Sequence, residues 1–174
     1  MTEISLATPI ARLPTPLAIA RLLQLASPAL PVGAYTYSQG LEWAVESGRI
    51  RNEAEAGEWI GDLLSHSLGR FEAPLVAVLM RCWQAADILE IKRLNEDFLA
   101  SREAAELRAE TLQMGFSLNR LLADLREPLL LALHTQLRAL PEIAFPTAWA
   151  GIANAWEIPP LEALTAYLWA WAEN

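Results

Sequence analysis

The segment Arg102–Leu125 reads REAAELRAETLQMGFSLNRLLADL, and its spacing decides the class of fold. Leu107, Met114, Leu118, Leu121, Leu122 and Leu125 share one face of a helix, while Glu103, Glu106, Glu110, Arg120 and Asp124 fall mostly elsewhere. The pattern predicts a long amphipathic helix from about Arg102 to Leu125, laid on a core. Apolar residues recur at helical spacing from Pro16 onward. No stretch shows the strict alternation, the β-branched enrichment or the Asn-Gly turns of a sheet. The expected architecture is all-α, an irregular bundle of about eight to nine helices in a single domain over residues 1–174.

Boundary chemistry agrees with the periodicity. Thr15-Pro16 has the form of an N-cap followed by a first-turn proline, Asn52 with Glu55 and Asp87 with Glu90 have the form of reciprocal caps, and Pro128 and Pro160 open two further helices. Pro28, Pro31, Pro141, Pro146 and Pro159 fall between apolar runs, where a missing N–H donor does no harm. The last helix, Leu161–Glu173, carries Leu164, Tyr167, Leu168, Trp169 and Trp171 nearly all the way round, and such a helix is expected to be covered on every side. Either a partner covers it, or sequence that normally follows it is absent.

Composition narrows the function. With 174 residues, 53% hydrophobic and 20% charged, the chain has the means to fold around a core. A formal charge of −8, with Lys and Arg scattered singly, lacks the footprint of a nucleic-acid binder. The single cysteine, Cys82, cannot form an internal disulfide, and Met1–Leu13 lacks the basic start and apolar core of a signal peptide, so the cytoplasm is the expected compartment. Runs such as Leu75–Met80 and Leu129–Leu133 are far shorter than the roughly 18 residues of a membrane span.

Residues that carry chemistry are scarce. His66, His134 and Cys82 are widely separated and stand in no metal-ligand spacing, so each reads first as a packing or surface residue and no metal or cofactor is expected. No Gly-x-Ser-x-Gly elbow, Walker loop or Gly-x-Gly-x-x-Gly turn occurs. Acidic pairs such as Glu103 with Glu106 and Glu53 with Glu55 read as solvated helix faces. A protein that binds other proteins, not an enzyme, is the expectation.

One local feature stands apart, the elbow from Pro31 to Glu42. Pro28 and Pro31 end the preceding helix, Gly33 permits a positive φ, and Thr36 with Gln39 fits a capping box for the next helix. Tyr35 and Tyr37 flank that cap. Two readings stay open for them: a rigid contact patch of the type enriched at protein interfaces, or rings that pack the elbow onto the core.

Leu22–Glu42, LLQLASPALPVGAYTYSQGLE, closely resembles the N-terminal signature of the UreF family of urease accessory proteins, whose members show a leucine-rich helix, a Pro-x-Gly elbow, an aromatic-Ser-aromatic or His-Ser element and Gly-Leu-Glu. Ser101-Arg102-Glu103-Ala104 through Leu107-Arg108 and Met114-Gly115 is similar to the family's middle segment, and Phe145-Pro146 through Gly151 with Leu161–Trp171 to its later helices. Thr36 stands where many members have serine, which keeps a hydroxyl. The family normally continues past the helix ending near Asn174 with a Pro-Leu-Gly-Gln-like motif and a tail that are not found here, so the chain is expected to be C-terminally truncated.

The resemblance implies an all-helical, homodimeric chaperone for nickel delivery, a scaffold that bridges the accessory proteins UreH (also called UreD) and UreG, the GTPase of the set, on the way to apo-urease. Matched position by position, it points to Pro31, Gly33, Tyr35, Thr36, Tyr37, Ser38, Gly40 and Glu42 for partner contact, with Arg102 and Glu103 after them. A second reading makes the chain an activator of the GTPase through a contributed arginine such as Arg102.

Overall fold

The computed structural model describes residues 15–33 and 40–173, and among these no strand occurs. The chain runs through α1 (Pro16–Ala26), α2 (Leu41–Glu46), α3 (Glu53–Asp62), a π-helical segment (Leu63–Glu72), α4 (Ala73–Ala85), α5 (Ile88–Ala100), α6 (Ala105–Leu125), α7 (Pro128–Arg138), α8 (Phe145–Ala155) and α9 (Pro160–Ala172). The expected all-helical architecture holds.

Several boundaries fall where their chemistry places them. Thr15 Oγ1 accepts from the Ala18 N–H at 3.1 Å, Asn52 Oδ1 from Glu55 at 3.0 Å and Asp87 Oδ1 from Glu90 at 3.1 Å. The return half of each expected reciprocal cap is diverted. Glu55 Oε2 takes the N–H of Arg51, one residue ahead of the cap, at 2.7 Å, and the Glu90 carboxylate pairs with Arg93 instead. Pro128 and Pro160 open α7 and α9 as anticipated, whereas Pro146 lies inside the first turn of α8 and is no spacer.

Helix α6 is shorter than the spacing suggested. It begins at Ala105, capped by an Ala104 that offers no side-chain acceptor, and Arg102 and Glu103 belong to the turn before it. Its buried face is Thr111, Gly115, Leu118, Asn119 and Leu122, so three of these five are small or polar. The reason is the connection into α8. Asn95 Nδ2 donates to the Glu142 carbonyl at 2.9 Å and its Oδ1 accepts from Ala144 N at 3.0 Å, while Thr111 Oγ1 accepts from Phe145 N at 3.0 Å. Gly115 completes this seat, because a Cβ there would sit 2.1 Å from the Ile143 carbonyl oxygen. Each polar side chain satisfies a backbone group that burial would otherwise orphan.

The helix covered on every side is α8, not α9. Pro146 through Ala153 are all buried, with Trp149 at 0% exposure, and α4, α6 and α7 pack around it. Ala148, Ala150, Gly151 and Ala153 allow neighbours close on all faces; a Cβ on Gly151 would meet Leu133 Cδ1 at 2.8 Å. Helix α9 has comparable hydropathy but bulky side chains. It buries Ala163, Ala166 and Tyr167 against α1, α4 and the π-helical segment, and leaves Leu161 and Trp169 exposed, with the Trp169 indole N–H donating to Glu173 at 2.9 Å.

Residues Glu53 to Ala85 form one continuous helical rod whose middle turns are π-helical, with the Ala73 N–H donating to the Leu68 carbonyl. The widening ends against Pro74, which has no N–H and whose ring would collide with the Arg70 carbonyl in a regular α-helix. This loosened stretch ends at Glu72, midway along the rod.

Replacing Gly115 by alanine is expected to lower unfolding free energy by at least about 2 kcal/mol, since backbone at Ile143 must move to admit the methyl. Urea denaturation of wild type and Gly115→Ala at equal m-value measures it; an unchanged midpoint contradicts the seat.

Candidate functional site

The described ends of the elbow are ordered by local backbone chemistry. After α1, Ser27 Oγ accepts from Ala29 N at 3.2 Å and the Ser27 carbonyl from Leu30 N at 2.9 Å, which turns the chain and buries Val32. Gly33 at φ 79° and Gly40 at φ 87° both take the left-handed conformation that side chains resist. Gly40 is the residue preceding α2 and makes no side-chain cap. Tyr35, Thr36, Tyr37, Ser38 and Gln39 lie outside the described residues, and with them the anticipated capping box.

Both ends of the elbow stand beside a cavity of about 350 Å³. Val32, Leu41 and Glu42 line one side; Trp59, Met114, Trp149 and Trp171 line others, and Glu72, Arg102 and Tyr167 meet at its wall. The structure thus brings Glu42 and Arg102, far apart in sequence, to one cavity. Pro31, Gly33, Gly40 and Glu103 are exposed and do not line it.

Arg102 is mostly buried, in the turn that precedes α6. Its guanidinium donates to Glu72 Oε1 at 2.9 Å, and both side chains are 14% exposed. The same guanidinium lies 4.1 Å from the Phe98 ring centroid and 5.4 Å from that of Phe71, and these rings stack at 6.0 Å. Such a desolvated cation over aromatic faces gains more than an exposed one. On the other carboxylate oxygen, Glu72 Oε2 accepts the phenol proton of Tyr167 at 2.7 Å. Tyr167 in turn packs at 5.9 Å against Phe145 and edge-on at 5.4 Å against Trp149.

Burial first, then the neighbouring Glu72 charge and its hydrogen bond, push the Tyr167 phenol well above its ordinary range. The cluster ties three distant pieces of chain together: the end of the π-helical segment, the turn between α5 and α6, and α9. The sequence pattern singles out Arg102 but neither Glu72 nor Tyr167. The available signals were an acid directly before the apolar run of α4 and a hydroxyl-bearing ring within α9.

The remaining reactive groups are dispersed. His66 is exposed, with Nε2 4.0 Å from Asp62 Oδ1. His134 is half-buried, its Nδ1 2.9 Å from the Asn119 carbonyl. Cys82 is half-buried beside the core, and burial, with Glu90 and Asp87 nearby, raises its thiol pKa. Among the described residues no group of three or more His, Cys, Asp or Glu is placed to hold a metal ion, and no helix is long and apolar enough to cross a membrane.

Residues 50–174 match the sequence model of the UreF family. The urease accessory protein UreF of Dechloromonas aromatica (strain RCB) is 66% identical over 160 residues, which cover 92% of this chain and 70% of that protein. That of Azoarcus sp. (strain BH72) is 65% identical over 159 residues, 91% of this chain and 68% of that protein. The protein of the same name from Methylobacillus flagellatus is 51% identical over 156 residues, with 90% and 68% covered. A match of 160 residues in this chain takes in the elbow wherever it starts.

Above pH about 10 an unfolded tyrosine ionises while buried Tyr167 keeps its proton, so the folded state binds more protons and stability falls as pH rises. The stabilisation is complete below that pH and is lost upward from it, at up to about 1.4 kcal/mol per pH unit. Urea midpoints between about pH 9 and 12 are expected to fall more steeply for wild type than for Tyr167→Phe. Parallel curves contradict the buried phenol.

Proposed function

The chain belongs to the UreF family of urease accessory proteins, and from that premise we propose that it is a non-catalytic scaffold, working in the cytoplasm as a homodimer, that bridges UreH (UreD) and the GTPase UreG for nickel insertion into apo-urease. The elbow is its contact for partners: Pro31, Gly33, Tyr35, Thr36, Tyr37, Ser38, Gly40 and Glu42, with Glu103 exposed nearby in sequence to Arg102. The observation that carries this reading is the placement of the elbow's ends on a cavity walled by the Arg102–Glu72–Tyr167 cluster. A contact surface gains affinity when its support is already ordered, because less freedom is lost on binding.

In this reading Arg102 acts from beneath the surface, as a positioning residue. The competing reading, a finger inserted into UreG, requires the guanidinium to leave Glu72 and Phe98. Stripping a mostly buried carboxylate of its cation costs about 3 kcal/mol, which offsets much of the thousandfold or greater rate gain of a true finger.

Two experiments separate these readings. Tyr35→Ala with Tyr37→Ala is expected to abolish urease activation and UreG–UreH co-purification while helical circular dichroism stays intact; loss of the helical signal instead assigns the rings to packing. UreG turnover measured with Glu72→Gln and Arg102→Ala, at matched complex occupancy, addresses the arginine. For a scaffold, complexes form less readily in both variants but turnover per bound GTPase is unchanged. Faster turnover with Glu72→Gln, which loosens Arg102, and collapse with Arg102→Ala would establish the finger.

A further inference from the structure

A second cavity, of about 550 Å³, opens between α6, α7 and the connection that leads into α8, away from the elbow. Its size falls in the range of about 300–1,000 Å³ that takes a ligand or a partner's anchoring side chains. Leu112, Ala123, Leu140, Pro141 and Ile143 give it an apolar lining, and Phe116 stands at its side 61% exposed.

Its charges are uneven. Glu142 is committed to Arg108 at 2.6 Å, which leaves Asp124 against Arg120 and Arg138 along the lining. Neither Arg120 nor Arg138 makes an ion pair among the described residues, and both are exposed. The cavity therefore carries a net positive rim on a chain of net charge −8. One wall is also held rigid. The Nδ1–H of His134 donates to the Asn119 carbonyl at 2.9 Å, with Asn119 Oδ1 at 3.0 Å, which locks α7 to a buried asparagine of α6.

From this combination we infer that the α6–α7 groove docks a short acidic amphipathic helix of a partner protein. The partner's apolar side chains enter the cavity, and its carboxylates meet Arg120 and Arg138. Elsewhere the negative chain repels an acidic segment, so charge directs it to this groove. A basic segment has the opposite preference. The site is separate from the elbow and does not depend on the bridging role proposed above.

The test uses the full chain and two fluorescein-labelled helical peptides with leucines at i, i+4 and i+7, one carrying glutamates on the flanking positions and its twin carrying lysines. Fluorescence anisotropy is expected to show the glutamate peptide binding at least about tenfold tighter than the lysine twin, more weakly as salt rises. Arg120→Glu with Arg138→Glu, both exposed, removes that preference with an unchanged thermal midpoint, and Ala123→Trp fills the cavity and weakens binding in the same sense. Equal affinities, no binding by either peptide, or binding that survives the charge reversal overturns the inference. So does sedimentation showing that the reversed variant changes oligomeric state, which would make the groove a contact between copies of this chain.

Discussion

Glu72 holds two partners, one on each carboxylate oxygen, and the candidate site depends on it. One carboxylate oxygen receives the guanidinium of Arg102, from the turn between α5 and α6, and the other the phenol of Tyr167, from the middle of α9. A buried carboxylate with a single partner would be a liability, since desolvation can exceed what one ion pair returns. Here the second hydrogen bond and the Phe98 and Phe71 rings around Arg102 complete its surroundings. The constraint is global because the three residues come from elements that share no sequence neighbourhood. Moving any one of them disturbs the cavity that Val32, Leu41 and Glu42, at the ends of the elbow, also line.

Why these groups meet follows from the rod that contains Glu72. Pro74 cannot continue a regular helix, the preceding turns widen, and Glu72 arrives at the cavity with Phe71 beside Arg102. Helix α8 fixes the other boundary. Its small residues let three helices close around it, and Trp149 then stands as a rigid surface for Tyr167. On the far side, Asn95, Thr111 and Gly115 clamp the backbone entering α8, so the floor of the site is set by hydrogen bonds as much as by apolar packing.

Much of this was legible in the sequence, and unevenly so. Helical class and the caps at Thr15, Asn52 and Asp87 follow from local chemistry, which needs only neighbours a few residues away. The start of α6, the π-helical stretch and the exchange of roles between α8 and α9 did not. Apolar content alone does not show that α8 sets Ala148, Ala150, Gly151 and Ala153 where neighbours approach closely, while α9 spends its apolar content on Trp169, Trp171 and three leucines. Arg102 was singled out, but its partners Glu72 and Tyr167 lie 30 and 65 positions away, and only the tertiary fold pairs them. The elbow was recognisable because its prolines interrupt the helical pattern and its glycines supply the left-handed backbone found at Gly33 and Gly40.

The central claim is that the buried cluster positions the elbow for partner binding. A double-mutant cycle measures it: affinity for UreG with UreH in wild type, in Glu72→Gln, in Tyr35→Ala with Tyr37→Ala, and in the combination. Groups that act as one unit are non-additive, so the account predicts that the combined loss falls short of the sum of the separate losses by about 1 kcal/mol or more. Losses that add within about 0.3 kcal/mol would show the cluster and the elbow to be independent and would contradict it.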